Sequence, residues 1–327
     1  MLIRPFKSTQ PFTAIFVVVI SFAMWLVSWT MHFRVLEANG MPLYDLVLKL
    51  LNGMPKEVYA LCGFILLSTQ AIHLNYLINK HEILYRQSWL PSLMYLFMAS
   101  LIPSFLWFHP ILFVNTILMF ALDKVFQLYK NPEPLQLDFD AAFLLSLASL
   151  FYPPALLLFI LFALSILILR PFSWRDWVVG IMGFVFPFFL AFLYYFMNNE
   201  LLTFYERVFV SGIKKQIDLQ HLFSYQYIVS VIWVIILFIV SILRLQTNYY
   251  KNVTKARLIQ QLLILLIVLG LVMVVISHDE LPYRFSILAM PVSVFLAYYF
   301  MSGRKAWFME LSFLVLAGCW VYNYFFA

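Results

Sequence analysis

Charge is scarce in this sequence: Lys, Arg, Asp and Glu together make up 11% of its 327 residues. A soluble domain carries about 25% charged side chains. Too little polar surface is available to cover a water-facing fold of this length, which excludes a cytosolic enzyme and a disordered chain. Cysteine is scarcer still, with only Cys62 and Cys319. Both lie in apolar runs without a CxxC partner, so a disulfide scaffold, a zinc site and a thioredoxin-like motif are all excluded. Nine glycines are too few for the many turns of a transmembrane β-barrel. No nucleotide-binding glycine loop, HExxH or GxSxG motif is present. No low-complexity tract or clear internal repeat interrupts the pattern either.

Apolar residues, in contrast, make up 64% of the chain, and mean hydropathy is +0.92. A membrane helix needs about 20 apolar residues. On that measure the runs are 11–30, 57–78, 89–107, 110–128, 140–152, 154–169, 177–197, 225–243, 258–277, 284–301 and 306–326. We read an all-α polytopic bundle of about eleven membrane helices, in a single integral-membrane domain over 1–327. The stretch 141–169 is interrupted at Tyr152-Pro153-Pro154, where proline removes a backbone donor and restricts its predecessor. It reads as two short or tilted helices, or one re-entrant pair; eleven crossings are favoured, and a ten-span alternative treats 141–169 as a single crossing or a hairpin. The first run, after Arg4 and Lys7, resembles a signal peptide, but it is long and no small-residue cleavage site follows. It reads as a retained first helix.

The net charge of +6 predicts no nucleic-acid partner, because the basic residues are spread through short loops. With the N-terminus inside and eleven crossings, 14 basic residues fall inside and 7 outside. That is the bias expected when Lys and Arg resist translocation. The expected location is a bacterial inner membrane, N-terminus cytoplasmic and C-terminus periplasmic, with the lipid bilayer as the first partner. Two long outer connections, 31–56 and 198–224, carry amphipathic helices too short to span. In the first, Leu43, Leu46, Val47, Leu50 and Leu51 form the stripe, with Asp45 and Lys49 spaced to pair. In the second the stripe is Leu201, Phe204, Tyr205, Val208 and Phe209. Such helices lie in the membrane interface.

Few ionisable groups stand within the runs: His73, Glu310, and Asp123 with Lys124 near an inner end. His73 reads as a packing residue and Glu310 as a snorkelling carboxylate. Reactive groups gather instead at the outer face: His32, Arg34, Glu37 and Asp45; His109; Arg207, Lys214, Lys215, Asp218 and His221; and His278, Asp279, Glu280, Tyr283 and Arg284. These supply carboxylates for a general base, cations for a phosphate and imidazoles for a metal. Loops also have to be polar in any membrane protein, so residue type alone does not separate a site from a surface.

The order of these features resembles the C-type integral-membrane glycosyltransferases, which take sugars from polyprenyl-phosphate carriers. The residues that carry the resemblance are Glu37 with Met41–Asn52, Leu101-Ile-Pro103, His109-Pro110, the loop Lys130-Asn-Pro-Glu-Pro134, Ala141–Pro154, and Leu281-Pro-Tyr-Arg284 before Ala289-Met-Pro291. The family's catalytic acid directly follows the first helix, whereas Glu37 stands several residues further on. The family's second acid is replaced here by His109 and Asn115. The resemblance implies Glu37 or Asp45 as the base that activates an acceptor hydroxyl. It implies Arg284, with Lys214 or Lys215, as the phosphate contact, beside Tyr283 and His109. No cofactor is required; a divalent ion, if present, would sit among Glu37, His278 and Asp279. The chain is also similar to an uncharacterised family of polytopic inner-membrane proteins from Bacteroidota, through Phe151-Tyr-Pro-Pro154, Arg170-Pro-Phe172, Trp174-Arg175 and Gly183-Phe184. That likeness implies location and topology and no activity. Two other classes stay open: a non-enzymatic scaffold or export-assembly subunit that binds partner membrane proteins, and a lipid or small-solute transporter.

Overall fold

The computed structural model describes every residue except 1–2, 11, 32, 38–40, 206–224, 249–251, 278–281, 304 and 327. The regular secondary structure of the described residues is helical, apart from one isolated bridge between Val35 and Phe108. The helices are α1 (Phe12–Met31), α2 (Pro42–Leu50), α3 (Lys56–Lys80), α4 (Leu90–Ala99), α5 (Pro110–Gln127), α6 (Leu135–Phe151), α7 (Leu158–Leu169) and α8 (Trp174–Met197). They continue as α9 (Leu201–Tyr205), α10 (Ile228–Thr247), α11 (Thr254–Ile276), α12 (Ala289–Ser302) and α13 (Ala306–Phe325). Eight segments are long and apolar enough to cross a membrane, the α12 segment counted with the turn before it. Two shorter segments are also apolar, α4 and Pro153–Leu169, which contains α7.

Contacts between chain ends fix the alternation. At one end, the Trp89 N–H donates to Phe6 O, Lys80 pairs with Asp123, and Lys124 pairs with Asp140. At the same end, Lys255 meets His81, Tyr85 donates to Met301 O, and Arg244 donates to Tyr299 O. At the other end, residues 34–36 bond to Phe108, Asn115 donates to Ser286 O, and Asn323 donates to Leu101 O. Each crossing therefore runs from one cluster to the other. The first end gathers the basic loops; we call it the basic end and its opposite the acidic-loop end.

At the Tyr152–Pro154 break the chain turns back as a helical hairpin. α6 ends where Phe151 stacks on Phe113 in the first turn of α5, with ring centroids 5.1 Å apart. Seventeen residues of α-helix run about 26 Å, nearly the length of α5. The return begins with a 3-10 turn, Pro153–Leu157, and continues as α7. The expected start of α6 at residue 140 is corrected to Leu135. Asp138 in the first turn faces the positive end of the helix dipole, and Asp140 reaches Lys124 at 2.9 Å, so neither breaks the helix.

Every residue of α4 is buried, and α12 is buried along most of its length, so these two form the centre. Both crossings become 3-10 at the acidic-loop end, in Pro103–Leu106 and Pro282–Leu288, and these turns pack on each other. Irregular backbone is tolerated at membrane depth only where protein encloses it. At the periphery, α8 exposes Phe186, Phe189, Phe192 and Phe196, and α10 exposes Val229, Ile232, Ile236 and Leu243. Patches of this size face lipid.

Candidate functional site

The acidic-loop end is assembled from three strands of sequence. After α1, the Phe108 N–H donates to Arg34 O at 3.0 Å and the Leu36 N–H donates to Phe108 O at 3.0 Å. The Tyr44 hydroxyl, fully buried, lies 3.0 Å from Leu36 O and 2.9 Å from Phe108 O. Burial pushes this phenol's pKa above its ordinary value. α2, which carries Asp45, is thus bolted over the bundle end beside the Arg34–Glu37 loop at the start of α5. Its packed face is Tyr44, Val47, Leu48 and Leu51. The expected stripe is rotated, since Leu50 is 78% exposed. The tyrosine, which hydropathy counts poorly, sets the inward direction. Of the second interfacial helix, Leu201–Tyr205 is helical and the remainder lies outside the described residues.

Glu37 is exposed on the loop one residue past that anchoring strand. Asp45 pairs with Lys49 at 3.1 Å, as their spacing predicts. His109 is fully buried; its Nε2–H donates to Phe105 O at 3.1 Å and its Nδ1 has no hydrogen-bond partner. Its ring lies 5.0 Å from that of Tyr283, which is buried too. In a 3-10 turn residues i and i+3 share a face, so Tyr283 and Ser286 look toward α5 together. There Asn115 donates to Ser286 O at 3.1 Å.

Arg284 takes a different course. Only 6% exposed, it donates from Nη1 to Val274 O at 3.2 Å and to Ser277 O at 2.8 Å, the last carbonyls of α11. A cation there complements the helix dipole and satisfies orphan acceptors. Arg284 thus acts as a helix cap facing away from His109. The exposed guanidinium near Glu37 is Arg34, whose Cζ stands 5.3 Å over the Trp107 ring. Lys214, Lys215, His278 and Asp279 lie outside the described residues. Among the described residues no three His, Cys, Asp or Glu side chains gather to hold a metal ion.

Below this end, a polar seam runs into the core. Tyr95 donates to Gln70 Oε1 at 2.7 Å, and Gln70 donates to Leu112 O at 2.6 Å and to Thr116 Oγ1 at 2.7 Å. Asn115 Oδ1 and the Ser104 and Ser286 hydroxyls are buried beside it without partners. Hydropathy averages conceal such isolated polar residues. They also conceal Asp138 and Asp176 at the basic end, 0% and 2% exposed, with Arg170 Nε 3.8 Å from Asp176. Of the isolated span residues, His73 packs on Phe120 with ring centroids 4.4 Å apart, and its Nε2 is buried without a hydrogen-bond partner.

A family profile matches residues 41–327, from the start of α2 to the end of the chain. The chain belongs to the family of unknown function DUF6427. The match takes in Asp45, His109, Tyr283 and Arg284, and leaves out α1, Arg34 and Glu37. Neither a curated protein nor a solved structure matches the chain.

Proposed function

We propose that this integral membrane protein resides in a bacterial inner membrane and transfers a sugar from a polyprenyl-phosphate carrier at the acidic-loop end, facing outward. The observation that carries this reading is the anchoring of the Glu37 loop and α2 over the start of α5. An acid after the first helix and an amphipathic helix lying across the bundle end is the layout that the glycosyltransferase resemblance implies. Glu37 is the accessible base for an acceptor hydroxyl. Asp45, tied to Lys49, ranks below it. Exposed Arg34 takes the phosphate contact first assigned to Arg284, with Lys214 or Lys215. Tyr283, His109 and Arg284 then act as positioning residues beneath the site. Membranes containing the wild-type chain should move labelled sugar from a polyprenyl-phosphate donor to lipid or protein acceptors. Glu37→Gln combined with Asp45→Asn should lower that rate by about 10²–10⁴. Unchanged transfer in the double variant would retire the assignment of Glu37 and Asp45, and no transfer by the wild-type chain above membranes lacking it would retire the enzymatic reading in favour of a non-catalytic assembly subunit.

A second reading, transport of a lipid or small solute, is favoured by a different observation. The two central crossings are both broken into 3-10 turns at the same end, where the Ser104 and Ser286 hydroxyls and Asn115 Oδ1 are buried without hydrogen-bond partners. Discontinuous helices of this kind surround substrates in transporters. Substrate accumulation in proteoliposomes without sugar transfer would select it.

A further inference from the structure

A cavity of about 460 Å³ opens at the basic end, on the opposite side of the bundle from Glu37. Its walls are the last turn of α10 (Arg244, Thr247, Asn248), the connection after α12 (Ser302, Lys305) and the first turn of α13 (Phe308, Met309). The described lining holds two cations and no carboxylate.

Arg244 is held in place before any ligand arrives. Its Cζ lies 4.6 Å over the Tyr299 ring, and its Nη1 donates to Tyr299 O at 3.3 Å. The planar fork keeps further N–H groups for an oxyanion, which an ammonium at the same place could not orient. The hydroxyls of Thr247 and Ser302 donate to backbone carbonyls of Arg244 and Tyr299, so they add no donor to the cavity. The second cation is the exposed Lys305, which also precedes α13 as its cap without a side-chain hydrogen bond. The first backbone N–H groups of α13 have no intrahelical acceptor and add positive potential beside Phe308.

We infer that this cavity binds the phosphodiester headgroup of an anionic glycerophospholipid. The depth argues for lipid rather than free phosphate. Trp307, 73% exposed, stands beside the cavity on the first turn of α13, and exposed tryptophan marks the headgroup level. Leu243 and Phe308 offer the adjoining apolar surface along which acyl chains run. A zwitterionic lipid brings its own ammonium, and two cations without a carboxylate do not accommodate it. Basic pockets between membrane helices suit phosphate headgroups for the same electrostatic reason.

The test is native mass spectrometry of the full-length chain in detergent, titrated with short-chain phosphatidylglycerol, with phosphatidylcholine and with inorganic phosphate. Phosphatidylglycerol should be retained about tenfold better than phosphatidylcholine. Millimolar inorganic phosphate should neither bind nor compete. Arg244→Gln with Lys305→Gln should bring both lipids to the same weak level. Lys305→Glu alone, at an exposed position that leaves the Arg244–Tyr299 contact intact, should remove most of the preference while the thermal midpoint stays unchanged. Equal retention of the two lipids by the wild-type chain overturns the inference. So does a preference that survives in either variant, or displacement by inorganic phosphate.

Discussion

At the scale of single residues, the polar side chains divide by whether they are partnered. His81 caps the end of α3 between opposite charges. Its Nε2–H donates to Asp123 at 2.7 Å, and the Lys255 ammonium donates to its Nδ1 at 3.2 Å, which selects the neutral tautomer. Desolvation lowers its pKa below the ordinary value of 6.5, against the opposing pull of Asp123. A histidine held neutral in the fold but free to protonate when unfolded loses stability as pH falls below about 6.5. Thermal unfolding in detergent from pH 7.5 to 5 should show a falling midpoint, and His81→Gln should flatten that slope. Asp138 is the opposite case, buried with neither carboxylate oxygen hydrogen-bonded and with Asp176 within electrostatic reach. An unpartnered buried polar group costs about 1–3 kcal/mol. Asp138→Asn should therefore raise the unfolding midpoint by a few degrees. A lower midpoint would mean that the carboxylate holds something that Asn cannot.

Among the elements, the closest approach is that of α6 to α8. A Cβ added at Gly183 would stand 2.6 Å from Phe139 O, a backbone atom that cannot move aside. Gly180 is packed against a side chain instead, the Phe162 ring of α7, which leaves no room for a Cβ unless the ring shifts. Small residues let membrane helices meet through their backbones, where no hydrophobic force distinguishes protein from lipid. Gly183→Val should separate α8 from α6, read as a loss of cysteine cross-linking between positions 139 and 183 neighbours, with α3–α5 cross-links retained. Gly318 has nothing within 4 Å of the added atom, so Gly318→Ala is the matched control and should change neither. The two glycines look alike in sequence, each within an apolar run. Only the path of the neighbouring backbone tells them apart.

For the whole molecule, the helices alternate between two ends, with contacts among the basic loops gathered at one of them, and eleven crossings are the expectation to be tested. Sidedness reporters should place the 244–257 loop in the cytoplasm and the C-terminus outside. Finding both on one side would overturn the odd number of crossings. Composition and run length by themselves determined the helical membrane class and the break at Tyr152–Pro154, while whether 141–169 makes one pass or two was left open. Those properties depend on one-dimensional quantities, hydropathy per span and the missing proline donor. Spacing likewise foretold the Asp45–Lys49 pair, because partners four apart on a helix need no other element. The roles of Arg284, Tyr283 and His109 were decided only in three dimensions. A 3-10 turn points neighbours 283 and 284 in different directions, so one packs its ring at a tilt against His109 while the other caps α11. The burial of Asp138 and the inward turn of Tyr44 were settled the same way, by helices distant in sequence that close over them.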